Sequence, residues 1–428
     1  MPTNSGMQLE ELLRAALQKG ATDVHLKAGV IPVIRRHGSL RPLQTNSPPL
    51  TGEQIEFMAM GLLDDKQRAH FEEFREIDIG YGVSGLGRFR VSIFRQRGTM
   101  RIVVRNIPFK VPTMEELTLP KVMEKIAHTE RGLILITGVA GSGKSSTLAA
   151  LIDDINKREN KHILTIEDPI EYLIRDRKSL ITQREIGVDS MSFARALRAG
   201  LRQDPDVILI GEMRDKETIE TAILAAETGH LVLSTLHTLD ATETINRILA
   251  TFDGTQQPQI RLQLAATLKA VVSQRLCKRK DGTGLVPAVE VLMNNGRVRE
   301  LIEDPAKTQL IQQSIEEGSA AWGMQSFDQS LMELLNKDLI SYDEALLHCA
   351  RPEDFRIRFE GFTAMDGKKW SQTGLYDKKV DDKWHNITEV EIIMPTEFKQ
   401  VRDLDREEND KDADDKKSSR AAGEKRKK

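Results

Sequence analysis

Between residues 8 and 19, Leu9, Leu12, Leu13, Ala16 and Leu17 recur three and four positions apart with charges between them, which puts all five on one face of a helix. A helix is expected to open the chain. After Gly20 the stretch VHLKAGVIPVIRRHGSL reads as short strands about a turn at Gly29. From Gly87, GRFRVSIFRQRGTMRIVVRNI alternates basic with apolar residues as half-exposed strands do. Together these segments predict a small N-terminal α+β domain over residues 1–106. The text IPFKVPTMEEL, with Pro108 and Pro112 and little periodicity, reads as a loose linker over residues 107–117.

From Arg131 the pattern changes to short β-branched runs, LILITG, HILTIED, DVILIGE and HLVLSTLHT, separated by helical stretches. Such alternation calls for a mostly parallel sheet covered by helices on both faces, an α/β core of RecA-like or related type. Over residues 256–277 and 326–349, Leu, Ile, Ala and Met recur at three and four, so a helical subdomain is expected to follow the sheet and end near Phe359. The second domain is thus placed at residues 118–358. Residues 359–400 hold Trp370, Trp384 and a possible strand at 390–394, an appendage without an assigned role. Residues 401–428 are nearly all charged or small and are expected to be disordered, because they cannot bury enough apolar area to offset chain entropy.

A length of 428 residues fits two or three domains, and 39% hydrophobic with 30% charged residues is a globular composition. The formal net charge of −3 and a pI near 6.4 give no general pull toward nucleic acid, which is not expected as a partner. Cys277 and Cys349 lie far apart, which fits a reducing compartment and excludes a disulfide framework or a four-cysteine zinc site. The first thirty residues show no basic start followed by an apolar stretch, and no apolar run reaches about 18 residues. A cytoplasmic protein is expected, reaching a membrane only through a partner.

The decisive motif is Gly138-Val139-Ala140-Gly141-Ser142-Gly143-Lys144-Ser145, a full match to GxxxxGK[ST] after the strand LILIT and before the helical SSTLAALIDDINK, which begins at Ser145 and Ser146. Glycines let successive N–H groups turn toward phosphate oxygens, and the helix start adds its positive end. Lys144 is expected on the β- and γ-phosphates of ATP and the Ser145 hydroxyl on Mg²⁺. Glu167, Asp168 and Glu171 end the next strand, so they should share the sheet's carboxyl edge, hold Mg²⁺ through water and polarise the attacking water. A buried strand then runs into Gly211-Glu212, where a Walker B element usually has Asp before Glu. Gly211 puts metal binding there in doubt and shifts weight to Glu212 as the group that orients or deprotonates water. His230 and His237 flank the following strand at a spacing unlike zinc ligation. Each fits a structural histidine, and His237 is the better candidate for sensing the γ-phosphate.

These elements, in order, resemble the retraction ATPases of type IV pili, the PilT and PilU branches of the type II/IV secretion ATPases. The resemblance covers about residues 7–359 and rests on GATDVHL, GRFRV, GVAGSGKSSTLAALI, TIEDPIEYLI, QREIGVDSMSFARALRAGLRQDPDVILIGEMRDKETI and AAETGHLVLSTLHTLDATETINRI. It implies a P-loop core beside a PAS-like N-terminal domain, a homohexamer, and ATP bound between the N-terminal domain of one subunit and the C-terminal domain of the same or a neighbouring one. It also implies that Arg88, Arg90 and Arg95 reach the phosphates, although a strand with three exposed arginines also reads simply as a soluble edge. Assembly ATPases of pili commonly carry a four-cysteine zinc module that two distant cysteines cannot supply, which favours retraction over extension. The implied work is pilus disassembly at an inner-membrane platform protein, with a paralogous retraction ATPase as a further partner. Two alternatives stand beside it: an accessory subunit acting with a second motor, and a secretion or DNA-transfer ATPase on the same engine.

Overall fold

The computed structural model describes residues 5–36, 39–43, 48–107 and 110–365. Trp370, Trp384, the strand expected at 390–394 and the charged tail lie outside the described residues.

The chain builds two sheets. The first contains β1 (Asp23–Lys27), β2 (Val33–Arg36), β3 (Ser39–Pro42), β4 (Glu76–Val83), β5 (Gly87–Gln96) and β6 (Thr99–Ile107), ordered β3-β2-β1-β6-β5-β4 and antiparallel throughout. Its alternation is the one the sequence announces: Phe89, Val91 and Ile93 of β5 are buried while Arg88, Arg90 and Ser92 between them are half-exposed. The opening helix Ser5–Gln18 and the helices Gly52–Leu62 and Asp65–Phe74 cover the apolar face, so Leu9, Leu13, Ile55, Met58 and Phe71 share one core with it. Both shorter helices start at a capping box, on Thr51 with Gln54 and on Asp64 with Gln67, which satisfies N–H groups that would otherwise lack partners.

The second sheet contains β7 (Gly132–Thr137), β8 (His162–Glu167), β9 (Leu180–Glu185), β10 (Val207–Ile210), β11 (Leu231–Leu236), β12 (Leu268–Lys278) and β13 (Leu285–Met293), ordered β13-β12-β7-β11-β10-β8-β9. All neighbours are parallel except β12 and β13. Every residue of β7, β10 and β11 is buried, as a sheet covered on both faces requires. Helices Lys144–Arg158 on one side and Lys216–Glu227 and Ala241–Ala250 on the other supply Leu151 and Ile155, and Ile223 and Ile245, to the two cores.

Two expectations need correction. The helical reading of residues 256–277 holds only for the helix Gln257–Thr267, after which β12 runs through the sheet beside β7. A buried strand in a parallel sheet is nearly continuous in apolar residues, so Leu268, Val271, Val272 and Leu276 fall three and four apart by accident. The connector is also tied down past residue 112: Thr113 and Glu116 exchange side-chain to backbone hydrogen bonds, and Met114 is buried with Met123 and Ile126. The helices Phe327–Asn336 and Tyr342–His348 do form, packing Leu331, Leu335 and Ala345 on Cys277, Val286 and Ala288 of β12 and β13.

Candidate active site

Because β7, β8, β10 and β11 are parallel neighbours, their carboxyl ends open on one edge of the sheet, where ligands bind in open α/β folds. A cleft of about 330 Å³ lies there. Its floor is the loop between Thr137 and the helix Lys144–Arg158, whose Gly138, Gly141 and Gly143 have φ of 142°, 78° and 89°. A side chain at Gly138 would meet the carbonyl oxygen of Gln274 and the Ser142 hydroxyl at 2.5 Å each, so the backbone approaches closely only because that residue is glycine. Ala140, Gly141, Lys144 and Ser145 line the cleft, whereas Val139 is exposed. Ser146 shares a hydrogen bond of 2.8 Å with the Tyr172 hydroxyl. The Lys144 ammonium donates to the carbonyls of Gly138 at 2.8 Å and Val139 at 3.0 Å. Burial holds its pKa below the usual lysine value, against the opposing pull of Glu171 and Glu212.

This loop fits a triphosphate on two structural counts: a close-approach glycine backbone at a helix start, and a Ser142 hydroxyl that is buried without a hydrogen-bond partner.

The acids reach the same cleft from two strands. Glu167 ends β8; its Oε1 accepts from the Thr165 hydroxyl at 2.6 Å and from Gln183 Nε2 at 3.1 Å, and burial pushes its carboxyl pKa up. Asp168 lines the cleft too, and its pKa is raised by burial and by Glu212 nearby. Glu171 sits on the following turn, exposed. Glu212 follows β10, where Arg214 Nε pairs with its Oε2 at 2.7 Å and His237 Nε2 stands 3.7 Å from the same oxygen. Burial first, and Lys144 second, hold the His237 pKa below the ordinary histidine value, so the imidazole is neutral at pH 7. Gly211 has a steric reason to stand where Walker B elements usually carry Asp. A Cβ there would lie 3.3 Å from the Ile166 carbonyl oxygen and 3.4 Å from the Glu167 Cα.

The three arginines separate. Arg90 lines the cleft and pairs with Asp78 at 3.0 Å. Arg88 instead bonds Glu185 at the end of β9 at 2.5 Å. Arg95 does not line this cleft: it pairs with Glu56 at 3.6 Å and lies over the Phe71 ring. Position 95 falls on the inward-facing side of β5, with Val91 and Ile93, which turns it toward the helices of its own domain. His230 is at the amino end of β11, where its Nδ1 bonds the Ala225 carbonyl at 2.9 Å, a structural role.

Several cleft residues were not singled out from sequence, among them Tyr172, Phe193, Arg214 and Thr235. Gln183 is another: it donates to Glu167 and to the Tyr172 carbonyl at 2.9 Å, bracing the acidic turn. In LITQRE two apolar residues are followed by four polar ones, so no alternation marks Gln183 in the sequence.

A family model, Type II/IV secretion system protein, matches residues 7–290, two thirds of the chain. The chain belongs to this family. Among its members, the type IV pilus retraction ATPase PilT of Pseudomonas aeruginosa is 44% identical over 349 residues, covering 82% of this chain and all of that protein. The type IV pilus ATPase PilU of the same organism is 40% identical over 351 residues, covering 82% and 91%. A crystal structure of the pilus retraction motor PilT with bound ADP superposes with a TM-score of 0.74 at 42% identity, covering 80% of this chain and 97% of that one. The α/β reading with a P-loop core therefore stands. Among the described residues, no helix is long and apolar enough to cross a membrane.

Proposed function

We propose that this chain is an ATP-hydrolysing motor that powers type IV pilus retraction, working as a cytoplasmic homohexamer against an inner-membrane platform protein. The observation that carries the reading is one cleft that joins the Lys144 loop, carboxylates from two strands and Arg90 from the N-terminal sheet. Full-length coverage of PilT at 44% identity ties that cleft to retraction. Lys144 and the loop N–H groups would hold the β- and γ-phosphates, and Ser145 with Glu167 and Asp168 would hold Mg²⁺, which when bound neutralises charge on the transferring phosphoryl group. Glu212 orients the attacking water, held in place by Arg214 with His237 beside it, and Glu167 and Glu171 shape its far side. Residues 1–106 and 118–358 act as two domains, so Arg90 couples their relative position to charge stabilisation.

Lys144→Ala tests this directly. Turnover should fall by on the order of 10³ or more, with the fold retained by circular dichroism. Turnover that survives would end the phosphate-site assignment, and a deletion strain with normal pilus retraction would end the assignment to retraction. A second reading, an accessory subunit beside another motor, draws on the 40% identity to PilU. It predicts negligible turnover for the purified chain alone and recovery on adding the second motor.

A further inference from the structure

Glu185 is a carboxylate with only 3% of its side chain exposed, at the end of the edge strand β9, and neither the phosphate loop nor the acidic turn accounts for it. Three contacts converge on it. Arg88 of the N-terminal sheet bonds its Oε2 at 2.5 Å. The Ile170 N–H, inside the turn that carries Glu167, Asp168 and Glu171, donates to the same oxygen at 3.3 Å. Its own N–H donates to Asp189 Oδ2 at 2.8 Å, which fixes the backbone from which the side chain extends. Glu185 also stands directly opposite Glu167 in the β8–β9 register.

A further observation comes from the N-terminal sheet. Gly80 of β4 passes so close that a Cβ there would lie 2.5 Å from Glu185 Oε1 and 2.8 Å from Arg88 Nη2. The backbone of one sheet is thus fitted against an ion pair whose carboxylate is anchored on the other. A buried carboxylate needs a partner, and here the partner is an arginine 97 residues earlier in the chain.

We propose that Glu185 is a positioning residue for ATP hydrolysis: Arg88 holds it from the N-terminal domain, and through the Ile170 N–H it sets the acidic turn against the nucleotide. This rests on the ATPase reading above. In this role Arg88 works beneath the acidic turn rather than on the phosphates, and the N-terminal sheet meets the catalytic edge twice, through Arg90 in the cleft and through Arg88 under the turn. Asp168 feels the same carboxylate, since Glu185 adds to the forces that raise its pKa.

The test uses the full chain and two readouts, amide hydrogen exchange at Ile170 and steady-state ATP turnover. Gly80→Ala wedges the pair without changing either charge. It should speed exchange at Ile170 about tenfold or more while the amides of Ile136 and Ile210 in the sheet stay protected. It should also lower kcat between about tenfold and a hundredfold, with KM for ATP within about twofold. Glu185→Gln keeps an oxygen for the Ile170 N–H and loses the charge facing Arg88, so it should lower kcat as well. Adding Arg88→Gln to it should cost less than about a further twofold, because both changes break one interaction. A folded Gly80→Ala chain with native kcat overturns the proposal. So does a loss confined to KM, or losses that multiply in the double variant. Should Glu185→Gln fail to fold, Gly80→Ala decides alone. If the native chain does not hydrolyse ATP, the motor reading fails, while unchanged Ile170 exchange in Gly80→Ala separately overturns the brace.

Discussion

The two sheets of this protein handle charge in opposite ways. In the parallel sheet β7, β10 and β11 are buried along their whole length, so charged groups collect where the strands end, and Lys144, Glu167 and Glu212 meet at that edge. In the antiparallel N-terminal sheet only one face is covered, and Arg88 and Arg90 stand along the other face of β5 in mid-strand. A parallel sheet builds a site at its rim, and a half-covered antiparallel sheet presents a charged wall. The cleft forms where such a wall is brought against such a rim. Under the function proposed above, phosphate binding and water activation fall to the parallel sheet and adjustable charge stabilisation to the antiparallel one.

The division predicts that removing a charge from the rim has the largest effect. Glu212→Gln keeps the volume and the hydrogen-bond reach toward Arg214 but removes the carboxylate proposed to direct the attacking water. Hydrolysis should slow by about 10²–10⁴ while ATP affinity, read by a fluorescent analogue, stays near native. Loss of binding in parallel with turnover would make Glu212 a structural residue and leave Glu167 and Glu171 to direct the water.

How much of this could be read from the chain depends on how local the cause is. The phosphate loop was legible because glycine placement, a strand before and a helix after are all set within some twenty residues. The strand before Glu212 was legible because an unbroken apolar run between polar flanks fits a central strand. The strand β12 was not, since its valine and alanine run also fits helical spacing and only its place between β7 and β13 decides. Alternation in β5 fixed which residues share a face but not what stands opposite. Arg88, Arg90 and Arg95 therefore read alike in sequence and end on Glu185, in the cleft and over Phe71. Glu185 itself was silent, because its partner lies on the other sheet.

Glu290 departs from the rule that charge in the second sheet collects where the strands end, and it gives the next largest effect. Glu290 of β13 is 1% exposed, accepts from the Ala241 N–H at 2.9 Å and from Gln312 Nε2 at 3.1 Å, and burial pushes its pKa up to about 7 from 4.5. Asp240 adds to the rise and Arg275 opposes it. The folded chain therefore holds this proton more tightly than the unfolded chain. The stability so gained is fully present below pH 4.5 and is lost as the pH climbs through about 7. Glu290→Gln removes the titration and keeps an acceptor for Ala241. Between pH 5 and pH 8 the variant should gain on the native chain by about 1–3 kcal/mol in denaturant unfolding. A difference that does not vary with pH would mean that Glu290 is ionised and fully compensated throughout.

The smallest effect belongs to two arginines on opposite faces of β5 and sharpens the comparison most. Arg90 and Arg95 lie on one strand five residues apart, yet the first lines the cleft and the second sits over Phe71 beside Glu56. If β5 divides its work as its two faces suggest, Arg90→Ala lowers kcat about tenfold and leaves unfolding almost unchanged. Arg95→Ala should do the reverse. It gives up a half-exposed ion pair and a cation–π contact at 6.0 Å, together worth about 1 kcal/mol or less, and kcat should stay within about twofold of native. Both variants assayed at several protein concentrations separate the two origins of any loss. A kcat defect in Arg95→Ala that deepens on dilution would place that side chain at a contact between subunits rather than in the helical core of its own domain.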